Sequence, residues 1–261
     1  MDAQVMRMDR KEKREQRASQ ARARRLRAAL GGAAVVILAV PIGIWLADGE
    51  AERDARRAVP DRPPAQARTG PAPFDFWVLA LSWSPTHCAD PEIAARDRLQ
   101  CAGPRPYAFV VHGLWPQYER GFPRSCPSDE RGPDAAEVSA MLDLMPAREL
   151  VRNQWERHGT CAGLPARAYF SEVRAAAARV TIPDGWSGRS SWTTVSAADV
   201  ERAFIAANPG LVPEAVAVQA REGLLREVRV CLGRNLSFRA CPEVDARGVD
   251  GGRLRVPPTR G

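Results

Sequence analysis

An α+β fold is predicted for residues 74–245 on three observations. Strand-type segments stand at both ends of this region, helix-type segments are grouped between them, and all six cysteines fall within it. A strand-by-strand alternation with helices, the mark of a βαβ repeat, does not occur.

The elements follow in order. Residues 74–83, FDFWVLALSW, are aromatic and apolar with partial alternation and are bounded by Pro73 and Pro85, which predicts a central strand. Residues 107–111 read as a second strand, ended by Gly113 and Pro116. Residues 134–145 and 166–180 are alanine-rich with apolar side chains at helical spacing. Ser196 heads a third helix, with acids in its first turn, and Asn208-Pro209-Gly210 stops it. REVRVCL and LSFRAC, within 226–241, are expected to pair as a hairpin around Gly233-Arg234-Asn235. Residues 246–261 are Gly-, Pro- and Arg-rich and are expected to form a flexible tail.

The net charge of +7 suggests a nucleic-acid binder until it is divided along the chain. The arm 1–27 accounts for +6, the segment 48–73 is neutral, and residues 74–261 carry +1. The charge of the folded part therefore does not identify its partner. Residues 28–47 are twenty positions without a charge. As a helix they span about 30 Å, the thickness of the hydrocarbon core of a bilayer. Arg22, Arg24, Arg25 and Arg27 precede them, which orients the later residues out of the cytoplasm. A retained signal anchor and a cleaved signal peptide both fit this segment. The long arm favours the anchor, and Gly49-Glu50-Ala51 offers a cleavage site. Residues 48–73, proline-rich with balanced charge, read as a disordered linker.

Export and an even cysteine count argue for disulfides. Six cysteines allow fifteen pairings, so spacing alone does not choose among them. Short loops favour Cys88–Cys101 and Cys231–Cys241, leaving Cys126–Cys161. A zinc site using His158 and Cys161 is the rival, weakened by the lack of any CxxC pair.

The three histidines are His87, His112 and His158. His112 lies at the end of a strand entering Gly113, sharing a face with Val110. His158 ends a helix on which Gln154 lies one turn earlier, with Arg157 flanking the same stripe. A Cys126–Cys161 bridge would draw the two segments together. Two imidazoles beside an arginine, without an acidic metal cluster, suit acid–base phosphoryl chemistry. One removes a 2′-hydroxyl proton and the other protonates the leaving 5′-oxygen. The bland alternative is a pair of histidines that only satisfy buried hydrogen bonds. His87 reads as a loop residue. Trp77, Trp83, Trp186 and Trp192 read as packing residues, and Trp155 as burying its helix.

FVVHGLWPQY (109–118) and QWERHGTC (154–161) resemble the two active-site segments of the ribonuclease T2 family. FDFWVLALSWSPTHC (74–88) resembles its first strand, and residues 226–241 its C-terminal disulfide hairpin. The resemblance implies a central antiparallel sheet flanked by helices and stapled by disulfides. It implies metal-independent cleavage of single-stranded RNA through a 2′,3′-cyclic phosphate, with no cofactor and no action on DNA. His112 would be the general acid and His158 the general base, an order that the sequence alone does not give. Three positions depart from the family's usual His-Glu-Trp-x-Lys-His-Gly-Thr-Cys. Asn153 stands for a phosphate-contacting histidine, Gln154 for a carboxylate that stabilises the neighbouring cation, and Arg157 for a lysine. Trp115 is placed either in the core or as a base-stacking platform, with Gln117, Tyr118 and Phe122 beside it. The expected protein is a monomeric exported ribonuclease. A catalytically weakened RNA- or partner-binding module, motivated by Asn153 and Gln154, is the alternative.

Overall fold

The computed structural model describes residues 74–249 and 251–259. The basic arm 1–27, the apolar segment 28–47 and the linker 48–73 lie outside the described residues. Among the described residues no helix is long and apolar enough to cross a membrane.

The fold is α+β, built on a mixed six-stranded sheet. Strand β1 (Phe76–Trp83) is buried almost throughout, as expected of a central strand covered on both faces. It pairs antiparallel with β2 (Phe109–Gln117) on one side and with β5 (Leu224–Gly233) on the other. The far edge of β5 pairs antiparallel with β4 (Val216–Arg221). The start of β5 also meets β6 (Arg253–Val256) in parallel, and β6 pairs antiparallel with β3 (Thr193–Ser196).

Trp77, Leu79, Leu81 and Trp83 point from β1 into the main core. They meet Val151 and Trp155 of α5 (Arg148–Arg157), Tyr169 and Val173 of α6 (Ala166–Arg179), and Val200 and Phe204 of α7 (Ala197–Ala207). Phe76 and Val78 point the other way, into a small cluster with Ala217, the Cys231–Cys241 pair and Val244. Along this second face the β1 side chains shrink, from Phe76 and Val78 to Ala80 and Ser82. The site forms over the small ones.

Local chemistry explains the ends of the elements. Asp134 and Glu137 form a capping box on α4 (Ala135–Ala140), and Ser196 and Asp199 form one on α7. Asn208 ends α7 with its side chain bonded to Thr181 and to the Phe204 carbonyl. The disulfides are Cys88–Cys101, Cys126–Cys161 and Cys231–Cys241. Cys161 is thus unavailable to zinc.

Four expectations are corrected. Strand β2 does not stop at Gly113 or Pro116 but continues through both to Gln117. It is an edge strand, where a proline's missing N–H costs no ladder bond. The helix expected over 134–145 ends at Ala140, because the turn that follows offers the Leu144 carbonyl to the Val111 N–H. LSFRAC meets β5 only at its last residues, through the Leu232–Phe238 bridge, since from Val230 back that edge of β5 is taken by β4. The supposed flexible tail 246–261 contains β6, with Leu254 and Val256 buried and the Pro257 carbonyl accepting from Trp83 Nε1 at 3.1 Å.

Candidate active site

The register between β1 and β2 shifts between Ala80 and Leu81. Ala80 faces Gly113 and Leu81 faces Val111, which leaves His112 as an extra, unpaired residue. Such a bulge re-aims a side chain without interrupting the strand. Phe109 and Val111 pack toward the main core, whereas Val110 and His112 line a groove on the opposite face.

Strand β5 reaches the same face from the other side of β1. There Glu227 lies opposite Ser82 and Arg229 opposite Ala80. The small side chains of Ala80 and Ser82 let groups on β2 and β5 meet over β1. His112 Nδ1 lies 2.5 Å from Glu227 Oε2, and Arg229 Nε donates to Glu227 Oε1 at 2.8 Å. Glu227 is 1% exposed. Burial alone would raise its carboxyl, but the hydrogen bonds and charges of His112 and Arg229 outweigh that and hold it down to about 2.

His158 arrives from the end of α5, where it closes the helix with its N–H on the Gln154 carbonyl. Its ring stacks on Trp115 with centroids 5.2 Å apart, and His112 meets the same indole edge-on, also at 5.2 Å. Burial pushes the His158 imidazole down from the usual 6.5, and positive charge on His112, Arg124 and Arg157 pushes it further, to about 4. Its Nδ1 is buried without a hydrogen-bond partner among the described residues. His158 is therefore a neutral imidazole near pH 7, able to take up a proton.

Gln154, one turn before His158, is buried, but its side chain turns to Trp115. Trp115 Nε1 donates to Gln154 Oε1 at 2.7 Å. The amide oxygen is thus taken by the indole rather than by the His158 ring. Gly113 makes this contact possible, because a Cβ there would lie 2.0 Å from Gln154 Oε1 and 2.5 Å from Trp115 Nε1. Gly159 plays a similar part for Trp155, whose ring would meet an added Cβ at 2.3 Å.

A pocket of about 210 Å³ opens beside Trp115 and His158. Trp115, Gln117, Phe122 and His158 line it, together with Arg124, Arg229, Arg247, Val78 and Val244. Tyr118 is exposed outside that lining, and so are Asn153 and Arg157; Arg157 acts on His158 as a nearby charge. The Cys126–Cys161 bridge and the Ser125 N–H on the Arg157 carbonyl fasten the loop of Phe122 and Arg124 to the helix end of His158. His87 lies elsewhere, bonded to Asp97 at 2.8 Å. Trp77, Trp83, Trp155 and Trp186 are buried, and Trp192 is exposed under Arg255.

Sequence reasoning missed Glu227, Arg229, Arg124 and Arg247. For the first two a signal existed: in REVRV, two charges of opposite sign share one strand face between buried valines.

Residues 74–241 match the ribonuclease T2 family. The chain is 48% identical over 99 residues to a ribonuclease of Aeromonas hydrophila, covering 38% of this chain and 43% of that protein. It is 36% identical over 112 residues to a protein of Haemophilus influenzae, covering 39% and 41%. The chain thus spans about two-fifths of the length of these curated relatives. Among solved structures it is similar to an RNase-related protein from Calystegia sepium, with a TM-score of 0.54, 18% identity, and 72% and 98% of the two chains covered. It is also similar to trichomaglin, an S-like ribonuclease, with a TM-score of 0.56, 20% identity, and 72% and 98% covered. These two likenesses are likenesses of fold.

Proposed function

Because the chain belongs to the ribonuclease T2 family, we propose that it cleaves single-stranded RNA by attack of a 2′-hydroxyl on the adjacent phosphorus. His158 takes the 2′-hydroxyl proton as general base. His112 gives a proton to the leaving 5′-oxygen as general acid, and the products are a 2′,3′-cyclic phosphate and a 5′-hydroxyl. The observation that carries this reading is the asymmetry of the two imidazoles around Trp115. One is backed by a carboxylate at 2.5 Å, and the other is half-buried and held neutral, its Nδ1 without a hydrogen-bond partner among the described residues. A proton donor needs the first environment and a proton acceptor the second.

Arg229, Arg124 and Arg247 line the pocket, and Arg157 adds charge beside it. They would offset negative charge gathering on the phosphorane oxygens. Trp115 and Phe122 offer faces for a base, and Gln117 an amide edge. The Glu227 carboxylate is engaged by His112 and Arg229, which suits a step carried by protons.

The disulfides fit an oxidising compartment outside the cytoplasm. We place the catalytic region there, held by residues 28–47 as an anchor or released by cleavage after them. A second reading, a slow or binding-only member of the family, is favoured by one observation: an imidazole held near 4 is a weak base at neutral pH.

One assay separates these readings. The purified full chain, incubated with single-stranded RNA and with DNA in excess chelator, should cut only the RNA and leave cyclic phosphate ends. Cleavage that requires a metal, or that extends to DNA, refutes the mechanism. RNA binding without cleavage supports the second reading.

A further inference from the structure

The position that usually carries a carboxylate beside the base is Gln154, and its amide oxygen is held by Trp115. Yet a carboxylate is present in the site, on strand β5 rather than on that helix, and beside the other imidazole. We infer that Glu227 is the positioning residue for His112, fixing Nδ1 as its hydrogen-bonded nitrogen and presenting Nε2 as the proton donor to the 5′-oxygen. This inference rests on the reading of His112 as general acid.

Three observations carry it. The first is geometric: the bulge frees His112 from pairing, and Ala80 and Ser82 leave space over β1 for its ring to reach Glu227 at 2.5 Å. A charge-assisted hydrogen bond of this kind fixes ring orientation and tautomer. The second is energetic. A carboxylate 1% exposed is costly to bury unless both oxygens are paired, and here each has a separate cationic or imidazole partner. Arg229 takes Oε1, which leaves Oε2 to His112. The third is chemical. In the reaction the 2′-oxygen bonds to phosphorus, the P–O5′ bond breaks, and the His112 Nε2 proton passes to O5′. The ring is then left neutral, with its Nδ1–H still on Glu227. The carboxylate holds the ring in place before and after the transfer.

Other charges face His112 as well. His158 and Arg229 stand on the pocket side, and Arg221, Glu222 and Arg226 line the groove on the other. Among the described residues, Glu227 is the one in hydrogen-bond contact with the ring.

The test uses two substrates in the full chain: the dinucleotide UpA, whose leaving alkoxide needs a proton, and uridine 3′-(4-nitrophenyl phosphate), whose leaving phenolate does not. Glu227→Gln should lower kcat on UpA by about 10²-fold, the scale of a general acid–base contribution. It should leave KM nearly unchanged and the nitrophenyl rate within about threefold. His112→Ala should show the same split, and His158→Ala should lose rate on both substrates. An equal loss on both substrates in Glu227→Gln, or no loss on either, overturns the inference. If Glu227→Gln does not fold, Glu227→Asp, with its charge kept and its reach shortened, should show a weaker form of the split; an even loss in that variant overturns the inference too. A separate readout needs no activity. The His112 Nδ1 proton should give a far-downfield resonance in the wild type that disappears in Glu227→Gln. Its presence in a chain that cuts neither substrate refutes the proposed activity and supports the positioning role. Its absence from the wild type overturns the positioning role, whatever the activity.

Discussion

Trp115 donates to Gln154 across the bare face of Gly113, at 2.7 Å, and this contact joins the two sequence segments of the site. It explains why a glycine follows His112. A methyl group there would fall 2.0 Å from the Gln154 oxygen. It also fixes the indole on which both imidazoles rest.

Gly113→Ala should therefore break the Trp115–Gln154 bond while leaving the sheet paired. We expect a loss of about tenfold or more in kcat/KM, the scale of one lost hydrogen bond plus an unpaired buried amide. Activity assays beside a thermal melt check this. Full activity in the variant would mean that the indole needs no anchor.

His112→Ala and His158→Ala should each reduce RNA cleavage by about 10²–10⁴-fold, with the fold intact by circular dichroism. His87→Ala should change it little, because that ring is occupied by Asp97 away from the pocket. A comparable loss in His87→Ala would contradict the assignment.

The lowered value of His158 predicts two pH effects. The acidic limb of kcat/KM should fall near pH 4 rather than 6.5. Stability should also fall as pH drops from about 6.5 to 4, because the unfolded chain binds a proton at this histidine that the folded chain resists. Glu227 works in the next window down: its stabilisation is present above about 4.5 and is lost as pH falls toward 2. Urea melts across pH on the wild type and His158→Ala test this, and the variant should lack the upper part of the slope. Identical slopes would show that the imidazole titrates alike in both states.

Gln154→Glu would keep an acceptor for the Trp115 indole and add a negative charge beside a crowd of cations. That charge should raise the proton affinity of His158, move the acidic limb up, and raise kcat at neutral pH more than it changes KM. Steady-state kinetics between pH 4 and 8 check it. A lower kcat in a folded variant would mean that the amide geometry is already tuned to the indole.

Breaking the Cys126–Cys161 bridge with Cys126→Ser and Cys161→Ser should cost about 2–4 kcal/mol of stability. It should also raise KM, because the loop of Phe122 and Arg124 would lose its tie to the His158 end of α5. Denaturant melts and kinetics on the double variant read both effects. An unchanged KM would place that loop outside RNA binding.

What was legible in the sequence was local. His112, Trp115, Gln154 and His158 lie in two short motifs, and β1 and the cap of α7 announce themselves by composition. Glu227 was not legible, because its role depends on β5 lying beside β1 and on a partner 115 residues away. Strand β4 escaped notice because its hairpin to β5 turns on Glu222 and Gly223, both at positive φ, and glutamate rarely marks such a turn. Strand β6 escaped because its arginines and the two glycines before it look like a solvated tail, and Leu254 and Val256 carry its buried face. The side-chain partner of Gln154 depended on which way the amide turned, and helical spacing names a neighbour on the helix rather than one on a facing strand.

The buried pair of Glu227 and His112 also bears on the order in which the protein comes into being. A nascent chain that has reached residue 161 already contains both imidazoles, the indole and the cysteine that ties the loop. It still lacks β5, and with it Glu227 and Arg229. The segment that packs against Trp83 is 174 residues away from it and is made later still. The early part of the chain thus passes through synthesis with His112 unsupported and its central strand uncovered on one side. The carboxylate that backs His112 is therefore in place only once β5, in the last quarter of the chain, has been made.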